Sequence, residues 1–137
     1  MLKTKPAKEV LVKMPNEIGA LDRMAKTVAD KGVNLLAISA WVEGPHAVIR
    51  LVTEDNVRVV DLLRSQKYDV READVLVTEL PHKPGMLHRI CERLALGGID
   101  IHHLYATAAV AQDRSIVVFA TAHNDRAMVL LNTPSPK

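Results

Sequence analysis

Two stretches of the chain carry the same spacing of apolar and polar positions. Leu21, Met24, Ala25, Val28 and Ala29 recur at i, i+3, i+4, i+7 and i+8, and Leu87, Ile90, Cys91, Leu94 and Ala95 do the same. Each set forms one apolar face of an α-helix. The helices are predicted to start near Gly19 and Gly85 and to stop at Gly32 and at the pair Gly97 and Gly98, because glycine takes the left-handed residue that ends a helix without steric cost. A β-branched run precedes each helix, KEVLVKM and ADVLVTEL, and VNLLAISAWV and IDIHHLYATAAV follow them. Turns at EGP and AQDR then lead into AVIRLV and SIVVFAT, and all of these runs read as strands. A second helix is predicted at Asp55 to Gln66, amphipathic through Val59, Val60 and Leu63, and again at Asn124 to Leu131.

These elements are two copies of one repeat. Pro15 and Pro81, Gly19 and Gly85, Leu21 and Leu87, Arg23 and Arg89, Ala29 and Ala95, and Gly32 and Gly98 all stand 66 residues apart. Past the next loop the offset grows by two, pairing Thr53 with Thr121 and Arg58 with Arg126, which a hairpin two residues longer in the second copy explains. Strand, helix, strand, strand, helix, strand, taken twice, predicts an α+β chain of two ferredoxin-like (βαββαβ) units in tandem, each an antiparallel sheet with its helices on one face. The units are expected over residues 7–73 and 74–132, with 133–137 a frayed tail. After Leu131 only NTPSPK remains, so the second unit lacks its last strand. Its sheet has three strands or a borrowed fourth, and a bare edge there would invite another chain.

Composition narrows the function without naming it. The chain has 137 residues, 48% hydrophobic and 25% charged, with a formal net charge of +2 and no basic block of the kind that tracks phosphates. Aromatic residues make up 3%, too few for the stacking platforms of a sheet that reads single-stranded RNA. Cys91 is the one cysteine, so no internal disulfide or CxxC pair forms and a reducing compartment is expected. The N-terminal MLKTKPAKEVLVKMP lacks the apolar core of a signal peptide, and no run of apolar residues is long enough for a membrane span. The expectation is a cytoplasmic protein that takes neither nucleic acid nor membrane as partner.

The two loops that open the helices, PNEIG and HKPG, bring a glycine turn to a helix N-terminus, where unpaired backbone N–H groups and the positive end of the helix dipole suit a carboxylate or phosphate. At this point the chain resembles the ACT domain, a small regulatory module that binds amino acids and related metabolites. The resemblance rests on HKPGML with GGIDI and on NEIGAL with KGVNL, and it covers residues 8–131. It implies that the polar residue of the first loop and the residue opening the second strand grip the polar groups of the ligand, while loop amides take its carboxylate. Carried onto this chain, the first site comprises Asn16, Glu17, Ile18, Gly19, Ala20, Leu21 and Asn34, with Ile18 where the family has proline. A second candidate site comprises His82, Gly85, Met86, Leu87 and Asp100; there the two amides are replaced by His82 and Asp100, and a negative Asp100 suits an ammonium and repels a carboxylate. The first copy, with both asparagines able to donate and accept, fits a zwitterion better.

The other polar features point to no chemistry. His82, His88, His102, His103 and His123 lack a carboxylate or thiolate spacing that completes a metal set. Cys91 lies on the apolar stripe and reads as a small core residue, and Trp41, Tyr105 and Phe119 read as packing residues of the strands. No nucleophile and base stand at a catalytic spacing. The expectation is a non-enzymatic regulatory protein, without cofactor or metal. It senses an amino acid or similar small anionic metabolite at the seam between ACT units, assembles as a homodimer, and signals in trans to a partner enzyme or regulator. The alternative is an ACT-fold assembly protein that has lost its ligand and serves as a regulatory subunit of another enzyme.

Overall fold

The computed structural model describes residues 2–107 and 114–134. The elements in chain order are β1 (Lys3–Pro15), α1 (Ala20–Asp30), β2 (Leu35–Glu43), β3 (His46–Thr53), α2 (Asn56–Ser65), β4 (Asp69–Pro81), α3 (Met86–Leu96), β5 (Ile101–Ala106), β6 (Arg114–Thr121) and α4 (Asn124–Asn132). The turn expected at AQDR, apart from Arg114, the last three residues of the run IDIHHLYATAAV and the last three residues of the tail lie outside the described residues.

The chain divides into two compact units, one of Lys8–Ala73 and one of Asp74–Lys137 joined by Met1–Ala7. In the first unit the strands are ordered β2-β3-β1 followed by the leading part of β4. β1 and β3 run antiparallel from Val10↔Leu51 to Pro15↔His46. In register with this, β2 and β3 pair antiparallel through Ile38↔Leu51 and Trp41↔Val48. Val10, Val12, Ile49 and Leu51 face α1 and α2, where they close a core with Met24, Val28, Val59, Val60 and Leu63. The three apolar positions predicted to make α2 amphipathic are thus all buried.

The second unit repeats this plan as β5-β6-β4, with β4 and β6 antiparallel from Leu76↔Phe119 to Pro81↔Arg114. Its core joins Leu76, Leu80, Ile90, Leu94, Phe119 and Leu131. Phe119 is wholly buried, as a packing residue should be, whereas Trp41 stays 38% exposed. Cys91 is half-buried, at the margin of the stripe rather than within the core.

The position of the missing last strand is filled from the same chain. β1 begins at Lys3, five residues before the KEVLVKM run that announces it, and Leu2–Ala7 belong to the second unit. The sequence-based boundary at residue 7 therefore moves by one, and the edge of β4 is not bare. Leu2 is 2% exposed in the second core, and Thr4 Oγ1 lies 2.7 Å from Thr78 Oγ1. Asn132, in the last turn of α4, accepts from Thr4 N at 2.8 Å and donates to Thr4 O at 2.8 Å. Its carboxamide thus pairs with the strand as a peptide group would.

A second asparagine pair repeats across the units. Asn56 Oδ1 accepts from Thr53 N and Oγ1 at 3.0 and 2.7 Å and its amide donates to Lys8 O at 2.6 Å. Asn124 does the same with Thr121 and Asp74 O, at 2.9, 2.9 and 3.3 Å. Each one ties the turn between an inner strand and its helix to the neighbouring long strand.

Because Asn132 satisfies both backbone groups of Thr4, its replacement by alanine strands them. Asn132→Ala is expected to cost about 1–3 kcal/mol. Thermal unfolding of the variant should show the loss, and an unchanged midpoint would mean that the N-terminal strand does not hold the second unit.

Candidate functional site

The loop between β1 and α1 is built around Gly19, which has φ +87° and serves as the N-cap of α1. An L-residue in this left-handed conformation is strained, so glycine is required here. Having no side chain, Gly19 caps none of the first helical amides, and no side chain does so in its place. Those of Leu21 and Asp22 are therefore available to an anion. α2 differs, since Asp55 accepts from Arg58 N at 3.1 Å and closes its own N-terminus. The loop is further fixed by Ala20 N donating to Glu17 O at 3.1 Å and by Asn16 N donating to Pro45 O at 3.0 Å. Arg23 reaches back over it, Nη2 standing 3.1 Å from Glu17 Oε2, an exposed pair that adds little stability but places both charges at the mouth of the loop.

A cavity of about 370 Å³ opens against this loop. Asn16, Glu17, Gly19, Ala20 and Leu21 line one side of it, and Trp41 and Val42, at the far end of β2, line the other. It offers amides for a carboxylate, Glu17 and Asp22 for an ammonium, and an apolar wall for a side chain. Ile18 is not part of the lining; it is fully exposed and points its apolar surface to solvent.

Asn34 is elsewhere. It follows α1, so the length of the helix, about 16 Å at 1.5 Å per residue, separates it from the loop of Asn16. There it is exposed and donates from Nδ2 to Glu54 Oε2 at 3.2 Å, while its carbonyl accepts from Glu54 N at 3.1 Å. No small molecule held in the cavity could touch both asparagines of one unit.

The same arrangement recurs in the second unit. Gly85 has φ +88° and caps α3 without a side chain. His82 is exposed, Met86 is 8% exposed and turned to the core, and Leu87 is half exposed. Asp100 lies beyond the other end of α3, 81% exposed and 3.8 Å from His102 Nε2. Where the first unit has Trp41, the second has Thr107, whose N–H bonds Ile116 O at 2.9 Å. The second loop thus keeps the backbone of the first and lacks its tryptophan and both amide side chains. Among the described residues no group of three or more His, Cys, Asp or Glu could hold a metal, and no helix is long and apolar enough to cross a membrane.

Between the two asparagines of the first unit runs β2, an outermost strand of its sheet. Leu35, Leu36, Ile38, Trp41 and Val42 along it are 38–58% exposed. Long apolar edges of this kind pair with other strands unless protected. The sequence reading found the loop through its glycine but did not mark β2 as an edge.

No protein-family model and no curated protein sequence matches the chain; the likeness is to solved structures. A protein of Bacteroides thetaiotaomicron superposes with a TM-score of 0.85 at 22% identity, over 94% of this chain and 88% of that one. The ligand-free regulatory subunit of aspartate kinase from Thermus thermophilus gives 0.62 at 15% identity, over 95% and 93%. That of Thermus flavus gives 0.58 at 16%, over 96% and 93%. The fold is the one these structures share, two ferredoxin-like units in tandem. Both units open their first helix on a glycine loop of one geometry, 1° apart in φ.

Substituting Gly19 forces a Cβ into the left-handed region and against Arg23 Nη1 at 3.1 Å. Gly19→Ala should cost about 1–2 kcal/mol and perturb the cavity, which chemical denaturation and amide chemical shifts at Leu21 and Asp22 would register.

Proposed function

We propose that the protein is a non-catalytic, cytoplasmic regulatory module that binds an amino acid or a related small anionic metabolite in a homodimer and acts in trans on a partner enzyme. The single observation that carries this reading is the placement of Asn16 and Asn34 at opposite ends of α1, with an exposed apolar edge strand between them. In a two-fold dimer that pairs β2 antiparallel with its copy, the start of one strand lies beside the end of the other. Asn34 of the partner subunit then comes to the loop of Asn16 and the wall of Trp41 and Val42. The ligand carboxylate takes the amides at the start of α1, its ammonium faces Glu17, and the partner's Asn34 closes the site. Binding stabilises the dimer because each site draws on both subunits, and assembly carries the signal.

The neighbours in fold support the regulatory part of this reading, since two of them are regulatory subunits of aspartate kinase. That likeness also supports a partner enzyme as the target, with the first unit as the sensor. The second unit, with His82 and Asp100 in place of the asparagines, serves as scaffold, although its Gly85, Met86 and Leu87 loop retains the form of a site.

A thermal-shift screen against the twenty amino acids and their 2-oxo acid precursors tests the reading. A true ligand at about a hundred times its dissociation constant should raise the midpoint by roughly 5–10 °C. Asn16→Ala and Asn34→Ala should each abolish most of that rise. Silence throughout a saturating screen, with the dimer intact, would leave the assembly-only alternative in its place.

The edge has its own test. Leu36→Lys places a charge on the strand, a device that blocks edge pairing, and sedimentation should then report monomer where the parent chain is dimeric. A dimer that survives this change would place the interface elsewhere.

A further inference from the structure

On the side of the first sheet turned away from its helices lies a cavity of about 360 Å³ that the loop site does not use. We infer that it binds a small planar carboxylate, a ring acid carrying one negative charge. Leu11 and Val48 form its apolar floor, and Trp41 and Arg50 stand beside them. Strand register puts these side chains on one face, since Leu11 is opposite Arg50 and Val48 is opposite Trp41. The Arg50 guanidinium lies 5.4 Å from the centre of the Trp41 ring and is ion-paired with Glu9, whose side chain is wholly buried. A guanidinium held by a buried carboxylate and an indole is pre-organised, and its planar charge at the cavity suits the flat carboxylate of a ring acid.

The sister unit shows that the fold itself does not call for these groups. The residues that stand for Glu9 and Arg50 there are Val75 and Val118, 1% and 0% exposed. Lys13 is answered by Glu79, which is engaged by Arg114 at 2.6 Å, and Trp41 by Thr107. Two valines fill this position without desolvating any charge, and a buried ion pair has no general advantage in stability over such a pair. The first unit therefore carries an arginine, an indole and a lysine that its twin omits, all lining one cavity, with the arginine's buried counter-ion Glu9 outside the lining.

The rim selects within the anions. Lys13 and Arg71 are balanced by Glu43 and Asp69, and Arg71 Nε is 3.9 Å from Asp69 Oδ1. Balanced charge around the mouth gives no purchase to a polyanion, and the apolar floor favours a flat hydrocarbon ring. The ligand class is thus set by one guanidinium, one indole face and two aliphatic side chains.

Trp41 is the chain's single tryptophan and also borders the loop cavity, so its fluorescence reads this site once the loop has been set aside by Asn16→Ala. Titration of the full chain with sodium benzoate is expected to give a saturable change, and inorganic phosphate at equal concentration none. Glu9→Val with Arg50→Val, which copies the sister unit, should fold and weaken the benzoate response by at least about tenfold. Arg50→Lys keeps the charge beside Glu9 but loses the fork, and should weaken it by about tenfold as well. Asn16→Ala should leave the response intact, which separates this site from the loop cavity. No saturable response, an equal response to phosphate, full retention in both Arg50 variants, or loss in Asn16→Ala would each overturn the inference.

Discussion

A sheet is stable only when the hydrogen-bonding groups of its strands are satisfied, and among the described residues α4 is the last element of the second repeat. Among the described residues no strand follows α4 to lie beside β4 in the second unit. Residues Leu2–Ala7 take that place, so the first residues of the chain complete the last unit. The long strands β1 and β4 are the consequence. Each is thirteen residues and each gives one stretch to either unit. Their burial patterns agree at twelve of thirteen positions, differing at Leu11 and Val77. The true repeat therefore begins at Lys3, with each long strand serving first as the closing strand of one unit and then as the opening strand of the other.

Given that frame, the proposed function rests on what differs between the copies. Both helices α1 and α3 open on a glycine in the left-handed region, which leaves backbone amides exposed at the same place twice. Backbone geometry is thus shared and chemistry is not. The first unit sets Asn16 and Glu17 around its loop and, on the face of the sheet turned away from the helices, Arg50 with Glu9 beside the indole of Trp41. The second unit replaces these by His82, Thr107 and two valines. The repeat supplies two scaffolds, and the polar side chains that the proposed ligand would need are concentrated on one.

Much of the fold was legible in the chain because helix periodicity and paired glycines are local signals. The predicted starts at Gly19 and Gly85 coincide with the observed N-caps, and Asn124 opens α4 as expected. The N-terminal strand was not legible. KTKPA and its counterpart DVREA share one residue, alanine, and Pro6 argues against a strand when nothing reveals that it lies on an exposed position. The loop of Asn16 to Leu21 could be found from its turn chemistry, but the distance between Asn16 and Asn34 depends on which end of the helix each one flanks. The pairing of Glu9 with Arg50 joins residues 41 positions apart across two strands, and no local pattern announces such a contact.

The central claim is that one ligand site draws on two subunits, and mixing defective subunits tests it most directly. Asn16→Ala dimers and Asn34→Ala dimers each contain two broken sites. In a mixed dimer, the intact Asn16 of one subunit meets the intact Asn34 of the other, so one whole site is rebuilt. Calorimetric titration of the exchanged mixture with the ligand should recover binding at one site per mixed dimer, absent from either variant alone. Binding that stays absent after subunit exchange, with mixed dimers confirmed by mass, would contradict the shared site.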